Sequence, residues 1–255
     1  MTGFGPLLRK ELLGLHRTGR LWVVLVIFLL VGLGSPLLAS GLPALLSHLP
    51  EDQMRGVEIL LVREPDLSDA LGQYLKNLSL MPPLLVLVAL GAFTVERQGP
   101  LPLVLSKPVS RRALLLSKAS ALGGLAVSGF ACGAAGCALY STVLFGPMDM
   151  GGFLALNGLL LLQALLLLGL TLLGGVLGRG QGVAAGLGLG GWLLLSALGA
   201  VPTLAAWTPA GLSVTAGDLV EGRAPEHPGL AVAGALVGLA LALLLADRAL
   251  DKQEV

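Results

Sequence analysis

The residue types that most often carry chemistry are scarce in this chain and poorly placed for it. The three histidines are His16, His48 and His227, and none lies inside a long apolar stretch. The two cysteines, Cys132 and Cys137, share one apolar stretch, but no CxxC occurs and no Cys/His cluster has metal-ligand spacing. Both read as small buried packing residues. A membrane protease or metalloenzyme needs a Ser/His, paired-Asp or HExxH arrangement within its apolar segments, and none is present. No Gly-Lys-Ser/Thr occurs, so there is no phosphate loop. The run Gly186–Leu187–Gly188–Leu189–Gly190–Gly191 superficially resembles a dinucleotide loop. It sits in an apolar stretch with no preceding strand and no acidic partner downstream. No catalytic residue, metal site or bound cofactor is expected.

Composition explains what these stretches are. The chain of 255 residues is 55% hydrophobic and 12% charged, where a soluble domain carries about a quarter charged residues. Mean hydropathy is +0.88. A helix needs about 20 apolar residues to cross roughly 30 Å of hydrocarbon. Six stretches qualify: 21–39, 78–95 (extended backwards), 119–145, 153–177, 181–201 and 229–246. The expectation is an all-α membrane protein, a single transmembrane domain over 1–255. The first span is not expected to be a cleaved signal, because its apolar run and preceding segment are both too long. The net charge of +1 points to no nucleic-acid partner.

Basic residues set orientation. With the N-terminus inside, the inner segments hold Arg9, Lys10, Arg17 and Arg20, then Arg97, Lys107, Arg111, Arg112 and Lys118, then Arg179, Arg248 and Lys252. The outer segments hold only Arg55, Arg63, Lys76 and Arg223, with most of the acids. Both termini are expected in the cytoplasm. Residues 3–20 read as an interfacial amphipathic helix with Phe4, Leu8, Leu12 and Leu15 on one stripe, a plain cytoplasmic leader being the alternative. Residues 40–77 form an external excursion in which Asp66 caps a helix starting near Leu67. Pro82 and Pro83 should kink that helix. Residues 96–118 are the main cytoplasmic loop. Residues 202–228 form a second external excursion, with a short helix over about 210–220.

No charged residue sits at the centre of a span, which disfavours a proton- or ion-coupled secondary transporter. The polar set there is mild: Ser128, Asn157, Gln163, Thr171 and Ser196, all able to bond neighbouring helices. Small residues recur every fourth position at Gly124, Ser128, Cys132 and Gly136, and again at Gly178, Gly182, Gly186 and Gly190. Such stripes let helix backbones approach closely, within one chain or between two.

The loop is the most specific feature. It reads Glu96–Arg97–Gln98–Gly99–Pro100–Leu101–Pro102–Leu103–Val104–Leu105–Ser106–Lys107–Pro108–Val109–Ser110–Arg111, with Lys118 entering the next span. Leu101, Leu103 and Leu105 are apolar residues in a basic loop and suit a hydrophobic groove on a partner. Arg111 and Arg112 suit acidic groups on that partner or lipid headgroups. A re-entrant loop lying on the bilayer is the alternative. The stretch closely resembles the first cytoplasmic loop of type-2 ABC-transporter permeases. The matching positions are Glu96, Arg97, Gly99, Leu101, Leu103, Leu105, Ser106, Pro108, Val109, Ser110, Arg111 and Lys118. Pro100 and Pro102 depart from the pattern, standing where Thr and an acidic residue are usual. Leu7–Leu8–Arg9–Lys10–Glu11–Leu12 is similar to the elbow helix of that family. Tyr74–Leu75–Lys76–Asn77 is similar to the entry to the second span in some bacterial members.

The resemblance implies a permease subunit of a bacterial inner-membrane exporter. A cytoplasmic coupling helix would lie between spans 2 and 3, and short external helices between spans 5 and 6. Glu96, Arg97, Gly99, Leu101, Leu103, Leu105, Pro108, Arg111 and Arg112 would form the ATPase-coupling site. ATP and Mg would bind a separate cytoplasmic ATPase. A second copy or a homologous permease would complete the path, with membrane lipid and an external accessory protein as further partners. The alternative is a non-transporting membrane scaffold or sensor subunit.

Overall fold

The computed structural model describes residues 3–46, 65–93, 110–178, 180–225 and 227–252, and the side chains of 42–46 are not described. All regular structure among the described residues is α-helical. In chain order the helices are α1 (Phe4–Arg17), α2 (Arg20–Leu46), α3 (Leu67–Ser79), α4 (Met81–Ala89), α5 (Arg111–Phe145), α6 (Met150–Leu177), α7 (Gln181–Gly199), α8 (Pro202–Ala205), α9 (Gly211–Val220) and α10 (Pro228–Asp251). Six segments are long and apolar enough to cross a bilayer: α2, the α3–α4 pair running Leu67–Phe93, α5, α6, α7 and α10. The chain is a multi-pass membrane protein.

The α6 helix forms the middle of the bundle. In its most apolar stretch 72% of residues are buried, against 17% in α7 and 22% in α10. Leu156, Leu166, Leu168, Leu172 and Val176 are buried on successive sides of it. A helix that is apolar on every side must bury every side or face lipid. Helices α4, α5, α7, α9 and α10 pack around α6, and α2 packs on α5 and α3. The outward residues, such as Leu30, Leu139, Val143, Leu193 and Leu244, are large and apolar, as lipid requires.

Local chemistry explains the helix ends. Asp66 caps α3 as expected. Its carboxylate accepts from the Asp69 N–H at 3.1 Å, and the Asp69 carboxylate accepts from the Asp66 N–H at 3.0 Å. Asp149 caps α6, accepting from the N–H groups of Gly151 and Gly152 at 2.9 Å each. The kink expected at Pro82 and Pro83 is a break at Leu80, between α3 and α4. Proline has no N–H, so Pro83 leaves the Ser79 carbonyl without its usual helical donor. The Trp192 indole N–H from α7 donates to that carbonyl instead, at 3.4 Å.

Small residues set the closest helix contact. A Cβ on Gly133 of α5 would sit 3.0 Å from the Phe28 carbonyl oxygen of α2. One on Gly129 would sit 3.0 Å from Val24 Cγ1, and one on Gly32 would collide with the Gly133 carbonyl. Gly136 belongs to this seam, facing Leu29 and Leu33. The seam therefore follows Gly129, Gly133 and Gly136. Gly124 has nothing within 4 Å, while Ser128 and Cys132 are half-buried beside the seam. In the second stripe, a Cβ on Gly178 would meet Val183 of the next helix at 2.7 Å. Gly182, Gly186 and Gly190 face open space in the single chain. Gly174 and Gly188 make the close approaches there.

Candidate functional site

One set of polar contacts between separate helices gathers at the end of the bundle where the start of α5 meets α1 and the end of α10. Ser110 begins α5, its Oγ accepting from the Ala113 N–H at 3.2 Å. This serine is the last residue before the helix and fixes where the helix starts.

Two turns into α5, Lys118 is 2% exposed. Its Nζ lies 3.0 Å from Glu11 Oε1 of α1 and 5.4 Å from the centroid of the Phe93 ring, past the end of α4. An ammonium buried this deeply requires a paired carboxylate. The pair also sets how α1 lies. The expected stripe of Phe4, Leu8, Leu12 and Leu15 is rotated. Leu7 and Leu15 are buried, Phe4 and Leu8 are half-buried, and Leu12 is 47% exposed. Leu7, Glu11 and Leu15 stand one above another at four-residue steps, so turning Glu11 to Lys118 turns both leucines inward.

The first turn of α5 grips the last turn of α10. The Arg111 guanidinium donates to the Leu250 carbonyl at 2.5 Å and to the Asp251 carbonyl at 3.2 Å. The final carbonyls of a helix have no donor within it, and a cation there also suits the helix dipole. Arg112 Nε lies 2.9 Å from Asp247 Oδ2. The sequence suited both arginines to partner acids or headgroups, but this chain supplies contacts of its own for them. Two of the predicted coupling residues, Arg111 and Arg112, are thus brought together. Glu96, Arg97, Gly99, Leu101, Leu103, Leu105 and Pro108 lie outside the described residues, as do the 96–109 loop and any coupling helix in it.

A second set of polar contacts ties the helices deeper in the bundle. The Tyr74 hydroxyl of α3 donates to Asn157 Oδ1 of α6 at 2.8 Å, and Asn157 Nδ2 donates to the Phe153 carbonyl at 2.9 Å. Asn77 Nδ2 donates to Ser35 Oγ of α2 at 2.9 Å. Ser213 of α9 donates to Gln163 Oε1 at 2.6 Å. Asn157 and Gln163 thus bond between helices. Ser128, Thr171 and Ser196 bond back to carbonyls of their own helices.

Sequence reasoning missed Asp247 and the pairing of Glu11 with Lys118. Asp247 could have been suspected as an acid at the end of the last span, next to Arg248. Among the described residues, no group of three or more His, Cys, Asp or Glu could hold a metal ion.

Six apolar crossings with helix-to-helix polar ties define an all-helical membrane domain. Residues 6–209 match the family model described as ABC-2 family transporter protein, well over half of the 255 residues. The chain belongs to the ABC-2 transporter family and is a membrane permease component. No curated protein sequence matches it significantly.

Proposed function

We propose that this chain is the membrane-spanning subunit of an ABC transporter, coupled through residues 96–112 to a separate cytoplasmic ATPase. ATP and Mg bind that partner, and the permease only transmits the closure it drives. A second copy or a homologous permease completes the path. The chain sits in a bacterial inner membrane with both termini cytoplasmic. The carrying observation is the first two turns of α5. They follow the loop directly and are joined to α1 by Lys118–Glu11 and to α10 by Arg111 and Arg112–Asp247. A push on the loop therefore displaces three helices together, which a transmission site requires. Empty span centres and the missing phosphate loop support the reading that the energy source lies outside this chain.

The test begins with purification from native membranes, where an ABC ATPase should accompany the chain. Replacing Leu101, Leu103 and Leu105 with Ser should then lower transport-linked ATPase activity in a complex that still assembles. Failure to recover any ATPase would overturn the reading in favour of a scaffold or sensor subunit.

A further inference from the structure

We propose that the outward face of α1 binds the headgroup of an anionic phospholipid, with Arg9 and Arg17 as its charged contacts. The reasoning starts from the one acid of this helix. Among Phe4–Arg17 only Glu11 carries a carboxylate, and it is turned inward to Lys118 at 3.0 Å. Side chains four apart share a face. The outward rows are Gly5–Arg9–Leu13–Arg17 and Pro6–Lys10–Gly14, which hold three cations and no acid. The Lys10 ammonium also reaches back to Glu11 at 3.6 Å. Arg9 and Arg17 are therefore the outward charges on which the proposal rests.

The shape of this face suits an amphipathic ligand. A Cβ on Gly5 or Gly14 would have nothing within 4 Å. With Pro6 they leave a groove of about 700 Å³ running past Arg9, Leu13 and Arg17. Leu13 is 43% exposed in it. A phosphodiester is an anion that a guanidinium can bind through two parallel N–H donors. Leu13 needs an apolar cover as well, and an acyl chain supplies one that free phosphate lacks.

Depth supports the same occupant. Only Thr18 and Gly19 separate α1 from α2, and Gly19 takes a left-handed conformation, φ 75°, in that turn. The α2 span then starts at Arg20. Trp22, two residues in, is 55% exposed, with the His16 ring edge-on at 5.9 Å. An exposed tryptophan at the start of a span marks headgroup level. The groove thus lies where phosphodiesters are concentrated.

The proposal goes beyond the ATPase reading and survives its failure, because binding is measured on the permease alone. The full chain in dodecyl maltoside is titrated with dioleoylphosphatidylglycerol or dioleoylphosphatidylcholine, and bound lipid is counted by native mass spectrometry. Each basic side chain beside an anionic headgroup strengthens binding by about a factor of five. The double variant Arg9→Gln/Arg17→Gln should lose roughly 25-fold in phosphatidylglycerol affinity. The control Arg248→Gln/Lys252→Gln removes the same charge from exposed positions on α10 and the residue after it, and should lose less than twofold. Equal losses in both pairs would overturn the proposal, as would equal affinity for the two lipids. Displacement of phosphatidylglycerol by millimolar inorganic phosphate would also overturn it, in favour of a soluble-anion site.

Discussion

Lys118 and Glu11 lie 107 residues apart in sequence, yet their side chains meet at 3.0 Å, with the lysine almost wholly buried. Breaking a buried ion pair by removing one partner costs about 3–5 kcal/mol, and less where the group left behind keeps water or a second partner. Glu11→Gln takes the carboxylate from the buried Lys118 ammonium and should lower the midpoint of thermal unfolding in detergent sharply. Lys118→Met should lower it less, because Glu11 is part-exposed and keeps Lys10 at 3.6 Å. The double variant should be less destabilised than the sum of the two, because both changes remove one shared interaction. Additive losses in that cycle would show that the two groups do not stabilise each other.

The same residues show what sequence can and cannot reveal. The six crossings were legible because an apolar run of about 20 residues has few other uses. The break before Pro82 was legible because a missing N–H acts locally. Lys118 and Glu11 each stood in a recognised segment, but their pairing depends on how α1 lies across α5. That geometry comes from tertiary packing, which no local period records. The small-residue stripes were legible only in part, Gly136 and Gly178 making close contacts and Gly124 none, for a related reason. A four-residue recurrence marks several parallel rows on a Gly-rich helix. Which row becomes the seam is decided by the partner, here by Phe28 and Val24 of α2 resting on Gly129 and Gly133. The loop motif was the clearest sequence signal, yet residues 96–109 fall outside the described part of the chain.

The two arginines that open α5 should differ in weight. The Arg112 side chain is 67% exposed, so water screens its pair with the largely buried Asp247 toward the roughly 1 kcal/mol of a surface ion pair. Arg111 is half-buried and satisfies two terminal carbonyls of α10, and hydrogen bonds from a charged group are worth about 1.5–3 kcal/mol. Arg111→Ala should destabilise the chain more than Arg112→Ala. It should also speed amide exchange over residues 246–251. If Arg112→Ala proved the more damaging, the grip on α10 would run through Asp247 rather than through the helix end.

The α2–α5 seam has almost no room for added atoms. Gly32→Ala places a methyl against the Gly133 carbonyl, so backbone must move. Overpacking of this kind costs about 1–3 kcal/mol. Gly124→Ala adds the same methyl to the same helix pair's surroundings with nothing within 4 Å, and should be neutral or stabilising by about 1 kcal/mol, since alanine is the better helix former. Gly186→Ala should likewise leave the monomer unchanged. Unfolding midpoints of the three variants check the order, and a Gly32→Ala variant as stable as Gly124→Ala would refute the close approach.

The Tyr74–Asn157 bond gives the last test, because it joins α3 to α6 in the interior of the bundle, with the hydroxyl 2.8 Å from Asn157 Oδ1. Tyr74 is fully buried and its ring also packs on Phe153, centroids 5.7 Å apart. Tyr74→Phe removes the hydroxyl and keeps the ring, so the loss isolates the hydrogen bond. Interhelical bonds in membranes average about 0.6 kcal/mol and reach about 1.7. The Phe variant should fall in that range. Tyr74→Ala also empties a site the size of the ring, and large-to-small changes for an aromatic cost about 3–5 kcal/mol. A ratio of several-fold between the two losses is expected. If Tyr74→Phe were as damaging as Tyr74→Ala, the polar tie would outweigh the packing that surrounds it. The stability of the α3–α6 contact would then rest on Asn157 rather than on apolar burial.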